Sequence, residues 1–451
     1  MIPLVKKNHR EALAAIGRLQ AKLAAMEETV SPRSRELTLR VFGQPLSPRQ
    51  VVDRILGDVR SKGDEALLDY CLKLDGVQLT AGRLRVGADE IRAAHCAASP
   101  ELLKAIRRSA ANIRRFQKAI LAKEPAATQN AGICAALRYV PLRRAGIHIP
   151  GASAPLFSTV LMTAIPAQVA GVKEIALCTP PGPDGKVRDA ILAACAEIGV
   201  EEVYRIGGAQ AIAAMAYGTR TIRPVDIIAG PGNVFTTLAK MAVFGRVQVD
   251  MPAGPSEVAI VADKTARADF VAADMLAQAE HYPGSAVAIV LDERLANALP
   301  GEIERIAATL ERGKQAMECL YSFGLIVLCG GLEEALELVE QIAPEHLEIV
   351  LKGAKQFAAR VRSAGAVFVG PWTPTVLGDY YAGPSHTLPT GGSARAFSGL
   401  SANTFRRSLA VIRATAEGLR RADKALEEFA RSEGLTAHGR SASIRLKRGA
   451  R

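Results

Sequence analysis

The sequence predicts an α/β protein: a helical N-terminal region, two successive parallel-sheet domains, and an extended C-terminal segment. Three observations carry this. From about residue 136 short β-rich apolar runs alternate with helical stretches, the pattern of parallel strands covered by helices. The runs come in two sets of four or five, as a duplication would produce. Before about residue 125 the apolar residues instead recur at three- and four-residue spacing, the period of a helix.

In the N-terminal region, 1–125, "EALAAIGRLQAKLAAMEETV" (11–30) and "PRQVVDRILGDVRSKGDEALLDYCLKL" (48–74) have that spacing, and Gly63 marks a break or close approach in the second. The first α/β domain, 126–252, contains "KEIALCT" (173–179), "EEVYRIG" (201–207), "VDIIAG" (225–230) and "VQVDM" (247–251). The second, 253–372, contains "EVAIVAD" (257–263), "AVAIVLD" (286–292), "LIVLCGG" (325–331), "LEIVLKG" (347–353) and "AVFVG" (366–370). The segment 373–451 begins as a Gly/Pro/Thr-rich loop. It continues as a helix from about 404 to 431 and ends in a polar, basic tail.

A chain of 451 residues has room for these domains, and 49% apolar with 23% charged residues is an ordinary globular profile. Seven scattered Cys without a C-x-x-C argue for a reducing compartment and against a disulfide framework. With no signal-peptide h-region in "MIPLVKKNHREAL", the cytoplasm is the expected location. Residues 147–172 contain no Asp, Glu, Lys or Arg, but Pro150, Pro155, Pro166 and Gln168 favour a buried loop and helix over a membrane span. The net charge is +12, and the last 46 residues hold twelve Lys/Arg against five Asp/Glu. A basic tail can mark a nucleic-acid binder. Aromatics are only 5% and no nucleic-acid module accompanies the charge, so a solvated helix face is the preferred explanation. Neither nucleic acid nor membrane is an expected partner.

Parallel sheets bind ligands beyond the carboxyl ends of their strands. "CTPPGP" (178–183), "GGAQA" (207–211) and "AGPGN" (229–233) occupy such ends, and Gly-rich turns before helices suit phosphates. The dinucleotide fingerprint nonetheless fails, because "GPGNVF" places Phe235 where its last Gly belongs.

Four of the seven His lie beyond residue 280, beside acids, amides or glycines: His281, His346, His386 and His438. Gln278 and His281 in "AQAEHYPG" share a helix face. Asp379 and His386 share the loop "GDYYAGPSHTLPTGG", and Glu433 and His438 lie in "SEGLTAHGR". Nitrogen and oxygen donors without thiolate suit zinc or another first-row ion. Satisfied surface or core histidines are the bland alternative, and spacing leaves the two open. In "IAPEHLEIVL" (342–351), Glu345 and His346 are adjacent in an apolar run. They would point to opposite faces of a strand, so sharing a site requires an irregular turn, for which Pro344 supplies a fixed φ. Such a pair can divide proton transfers. The competing explanation is a helix start with Pro at its first position and an early Glu.

"PGASAPLFSTVLM", "GGAQAIAAMAYGT", "AGPGNVF", "AGPSEVAIVAD", "AQAEH", "APEHLEIV", "GDYYAGPSHTLPTGG" and "EGLTAH" together resemble the ordered motifs of the histidinol dehydrogenase family, from about residue 30 to 445. The resemblance implies two incomplete Rossmann-like domains and a homodimer whose C-terminal arm crosses to the other subunit. It implies zinc-dependent oxidation of L-histidinol through L-histidinal to L-histidine with two NAD, the last step of histidine biosynthesis, and one zinc per subunit. Residue by residue, Gln278, His281, Asp379 and His438 match the zinc ligands, which also touch substrate. Ser256, His346, Glu433 and His386 match further substrate contacts, and Glu345 and His346 match the catalytic acid–base pair. Gln210 and Asn233 match NAD-binding positions. His148 stands where the family usually has a Tyr that helps hold the dinucleotide; its imidazole can still stack and hydrogen-bond, so it is carried as a cofactor contact. Ala152 replaces a second Gly there, and Ser385 replaces a commoner Asn, a change that points to a shifted substrate in a paralogue. Under this resemblance His346 takes the hydroxyl proton and Glu345 activates water. Cys178, with no acid or imidazole beside it, is expected to be a small buried residue rather than a nucleophile.

Overall fold

The computed structural model describes residues 2–6, 8–28, 32–151, 156–252 and 254–447. Two compact units emerge, one of residues 1–120 and 143–405, the other of 121–142 and 406–451. The larger holds both parallel sheets. Its N-terminal region is helical except for β1 (Leu4–Lys6), a three-residue strand too short to show a period. Gly63 does divide the second helical run, into Pro48–Lys62 and Asp64–Tyr70, by adopting φ 58 and ψ −127, a geometry that favours glycine. The first of these helices opens on a capping box in which Ser47 and Gln50 each accept the other's amide.

Strands β2 (Thr128–Asn130) and β3 (Ile133–Pro141) belong to the smaller unit. The first parallel sheet comprises β4 (Arg144–His148), β5 (Glu174–Thr179), β6 (Glu202–Arg205), β7 (Ile227–Ala229) and β8 (Gln248–Val249), in the order β6-β5-β4-β7-β8. The chain steps outward from β4 to β6 and then crosses to the other side of β4. The strand order therefore reverses between β4 and β7, and open α/β sheets bind ligands beyond the carboxyl ends of their strands at such a reversal. The helix Phe157–Ala170, within the charge-free run, is buried over most of its length against this sheet's core. No helix among the described residues is long and apolar enough to cross a membrane.

The second parallel sheet comprises β9 (Ser256–Ala262), β10 (Gly284–Val290), β11 (Gly324–Leu328), β12 (His346–Val350) and β13 (Ala366–Val369), with β1 added at one edge: β1-β11-β10-β9-β12-β13. Apart from β1 it repeats the winding of the first sheet. Alternate residues feed opposite layers, as strand geometry requires. Val258, Ile260 and Ala262 face the layer of Ala268–Ala279, whereas Ala259, Val261, Leu347 and Ile349 face that of Leu332–Ile342.

In the smaller unit β14 (Arg406–Ala414) pairs antiparallel with all of β3, from Arg406 opposite Pro141 to Ala414 opposite Ile133, and β2 completes the sheet. The expectation of one helix over 404–431 is therefore corrected. "SLAVI" is too short for spacing to separate helix from strand, and pairing with β3 decides the outcome. The helix begins only at Ala416, where Thr415 Oγ1 accepts the Gly418 amide. A further helix, Thr436–Lys447, occupies what reads in sequence as a polar tail. Residues 126–142, expected in the first α/β domain, group with this C-terminal segment instead.

Candidate active site

The second sheet gathers its titratable groups at its amino ends. Ser256 opens β9 and His346 opens β12. The helix Ala268–Ala279 runs back to that edge and delivers Gln278, with His281 in the turn just beyond. There a cavity of about 170 Å³ is lined by Ser256, Gln278, His281, Glu345, His346, Asp379 and His386, with Thr159 from the helix Phe157–Ala170 and Pro231 from the turn after β7. A larger, mostly apolar cavity of about 420 Å³ shares His346, Asp379 and His386 with it.

Glu345 and His346 stand at a helix-to-strand junction. The helix Leu332–Ile342 ends on Ala343, a non-glycine residue in the left-handed region (φ 47, ψ 61), and Pro344 leads into the pair. The helix-start alternative is thereby excluded, since β12 follows. Both side chains are buried. The Glu257 backbone fixes them together: its amide donates to Glu345 Oε2 at 2.9 Å, and its carbonyl lies 3.1 Å from His346 Nδ1. Glu345 Oε2 lies 3.6 Å from His346 Nδ1, and Asp379 Oδ1 lies 3.6 Å from Nε2. At that length the Asp379 contact is an ion pair rather than a hydrogen bond, and Nε2 has no hydrogen-bond partner.

Burial pushes the Glu345 carboxyl up to about 7 although His346 opposes it. Burial pulls the His346 imidazolium down, but Glu345 and Asp379 outweigh it and hold the group at about 9. Glu257 is itself buried, and burial together with the Glu345 charge raises its carboxyl to about 8. His386 is tied by Nδ1 to the Asp379 carbonyl at 3.0 Å and by Nε2 to Thr159 Oγ1 at 3.1 Å, with burial lowering its pKa. Ser385 is buried, donating to the Met162 carbonyl and accepting the Thr387 amide. Its hydroxyl is occupied in holding the loop.

Of the expected metal donors, Gln278, His281 and Asp379 line the same cavity, and the buried Gln278 Nε2 has no partner. The amide oxygen of Gln278, rather than its donor nitrogen, together with an imidazole and a carboxylate makes a donor set that suits an N/O-coordinated cation. Among the described residues no group of three His, Cys, Asp or Glu stands ready for a metal. The larger unit's share contains only two such groups, because its third donor is an amide, so the fit is that of a partial ligand set. His438 lies in the smaller unit on the helix Thr436–Lys447, and Glu433 lies in the same unit at the end of Ala416–Ser432.

The expected cofactor positions all lie at the carboxyl edge of the first sheet. His148 ends β4, Gln210 is buried in the first turn of the helix after β6, and Asn233 caps the helix after β7, its Oδ1 accepting the Phe235 and Thr236 amides. Ala152 lies outside the described residues. Cys178 is fully buried on β5 with its thiol pushed up by burial, and it lines neither cavity.

Some buried acids near the site are given no role by the sequence. Glu257 and Glu348 are buried acids inside the apolar runs "SEVAIVA" and "HLEIV", an incongruity that could have flagged both. Glu348 Oε1 accepts the Thr375 amide at 2.7 Å and hydroxyl at 2.5 Å, anchoring the short helix Thr375–Tyr380 that carries Asp379. Asp274, on the helix that carries Gln278, is raised to about 8 by burial and by the neighbouring Glu348 charge.

Two parallel sheets of one winding, with a buried acid–imidazole pair lining a cavity at the second, define an α/β protein with an enzyme-like site. The chain belongs to the histidinol dehydrogenase family, oxidoreductases of histidine biosynthesis: that family's model matches residues 44–446. Histidinol dehydrogenase of Rhodopirellula baltica is 50% identical over 437 residues, 97% of this chain and 95% of that protein. That of Geobacillus kaustophilus is 45% identical over 402 residues, 89% of this chain and 94% of that protein. The crystal structure of histidinol dehydrogenase from Elizabethkingia anophelis superposes with a TM-score of 0.88 at 35% identity, covering 99% of this chain and 98% of that one.

Proposed function

We propose that this chain is a zinc-dependent, NAD-linked enzyme that oxidises L-histidinol through L-histidinal to L-histidine. The observation that carries this is the buried Glu345–His346 pair facing Gln278, His281 and Asp379 across one cavity. In the first step the alcohol loses a hydride and its hydroxyl proton. In the second the aldehyde, with water added, loses another hydride and becomes the acid, so two NAD are reduced per histidinol. Bound NAD supplies the hydride acceptor, and zinc bound with Gln278, His281, Asp379 and His438 supplies positioning of the substrate's imidazole and amine.

The chain's own groups handle the protons. The Glu257 carbonyl holds the His346 Nδ1 proton, leaving Nε2 toward the cavity as the base for the hydroxyl. The Asp379 and Glu345 carboxylates both favour the imidazolium, and committing Asp379 to a cation would weaken that hold. Glu345, poised near 7, suits removal of a proton from water in the aldehyde step. Ser256, His386 and Glu433 complete the proposed substrate contacts, and Gln210 and Asn233 those to NAD. The functional form is a cytoplasmic homodimer, with Glu433 and His438 serving the partner's site.

The test is turnover by purified zinc-loaded protein: two NADH should appear per histidinol. Ser385, where the family more often has Asn, keeps one rival, an NAD-linked dehydrogenase of another small amino- or sulfo-alcohol. Activity on such an alcohol with none on histidinol would establish that rival. Tight, steeply salt-dependent binding of nucleic acid would instead favour a role for the basic tail.

A further inference from the structure

His148 ends the central strand of the first sheet, and its buried ring has no polar atom to spare. Nε2 accepts the Gly208 amide at 3.2 Å, so that nitrogen carries no proton. Nδ1 is therefore the N–H, and it donates to the Pro231 carbonyl at 2.8 Å. Gly208 opens the helix after β6, and Pro231 lies in the turn after β7. These two turns lie on opposite sides of β4 in the strand order, at the reversal where an open α/β sheet holds its ligand.

The surroundings leave little slack. A Cβ on Gly230, which has φ 118, would stand 2.1 Å from the His148 carbonyl oxygen. From the other side Lys240 Nζ donates to the Gly230 carbonyl at 3.1 Å and pairs with Asp250, whose Oδ2 accepts the Gly230 amide at 2.8 Å. The turn preceding Asn233 is thus fixed from beneath by an ion pair and from the strand side by an imidazole.

We propose that His148 is a positioning residue: a neutral Nδ1–H imidazole that ties the turn before Gln210 to the turn before Asn233 and sets the spacing of the dinucleotide cradle without touching the dinucleotide. The inference rests on assigning those turns to NAD. Burial pulls the ring's pKa down to about 4 against the opposing Pro231 carbonyl; Lys240 lowers it further and Asp250 raises it, and they are the charged groups that face it. A ring that accepts an amide proton at Nε2 is neutral, and the lowered pKa agrees with that. A tyrosine at this position would offer one hydroxyl at the tip of its ring and could not bridge both turns from opposite ring atoms.

Two measurements on the zinc-loaded enzyme test this. His148→Phe keeps the ring's bulk and loses both hydrogen bonds. The KM for NAD should rise at least tenfold while the KM for histidinol moves less than twofold; an unchanged KM for NAD would overturn the proposal. Nitrogen NMR of labelled histidine in the parent enzyme should show one Nδ1–H tautomer that does not titrate between pH 5.5 and 9 and does not shift on saturation with NAD. A ring titrating near 6.5, or one strongly shifted by NAD, overturns it as well. Should the parent bind no NAD at all, the cofactor assignment fails, while the ring's tautomer and titration still decide whether the clamp exists. If His148→Phe does not fold, the tautomer and titration of the parent ring decide alone.

Discussion

His346 Nδ1 lies 3.1 Å from the carbonyl oxygen of Glu257, and this one contact turns the unpartnered Nε2 toward the cavity. The same Glu257 residue holds Glu345 through its amide, so the two catalytic candidates are registered on a single residue of β9. His346→Asn should therefore depress both oxidations by roughly 10²- to 10⁴-fold. Glu345→Gln should spare the alcohol step and stall at the aldehyde. Rapid-quench measurement of NADH per histidinol reads this directly: one equivalent for the Glu345 variant instead of two. Two equivalents at the parental rate would show that Glu345 does not activate water.

The Glu257 side chain gives a pH signature. Its carboxyl is raised to about 8 in the fold and ionises near 4.5 when unfolded. The stability it contributes is full below about 4.5 and is lost as pH rises through 8, because only the unfolded chain has released the proton over that window. Glu257→Gln keeps a neutral, hydrogen-bonding group and removes that slope. Relative to the parent, its urea midpoint should be higher at pH 8.5 than at pH 5. A constant difference between the two would mean that Glu257 is already ionised in the fold.

Asp379 is asked to do two things: hold a cation and hold the His346 proton. Asp379→Asn should lower the zinc content measured by atomic emission. In the metal-free protein it should also bring the His346 pKa down from about 9, since one of the two supporting carboxylates is gone. Full zinc occupancy in this variant would remove Asp379 from the ligand set.

Shared sites can be tested by mixing chains. Asp379→Asn and His438→Asn homodimers should each be inactive. In a mixed dimer one site would combine both defects and the other would combine both intact residues, so coexpression should recover activity. If mixing restores nothing, His438 serves the site of its own chain.

Cys178→Ala should leave kcat within about twofold of the parent, because the thiol is fully buried, unionised and outside both cavities. A loss of 10²-fold or more in the aldehyde step, with the protein still folded, would revive a thiohemiacetal route.

Much of this architecture is legible in the chain because the parallel strands are short, apolar and punctuated by Gly or Asp: "EVAIVAD" and "AVAIVLD" announce β9 and β10 almost residue for residue. Glu345 and His346 stand out because an apolar run has no other use for them. What stayed hidden depends on distant pairing. Leu4–Lys6 becomes a strand only by lying beside Ile326–Leu328, and Arg406–Ala414 only by lying beside β3. The Asp274–Glu348 contact joins residues on different elements, and no local pattern encodes it. His148 reads in sequence as a hydrogen-bonding group available to a ligand; folding commits both of its nitrogens to backbone.

The attachment of β1 has a practical corollary for anyone handling the protein. Leu4, Val5 and Lys6 cap the outer margin of β11, whose backbone groups would otherwise be open to any extended peptide. A truncation that trims residues 2–6 would bare that margin and invite strand-to-strand self-association. Purification handles are better kept away from this end.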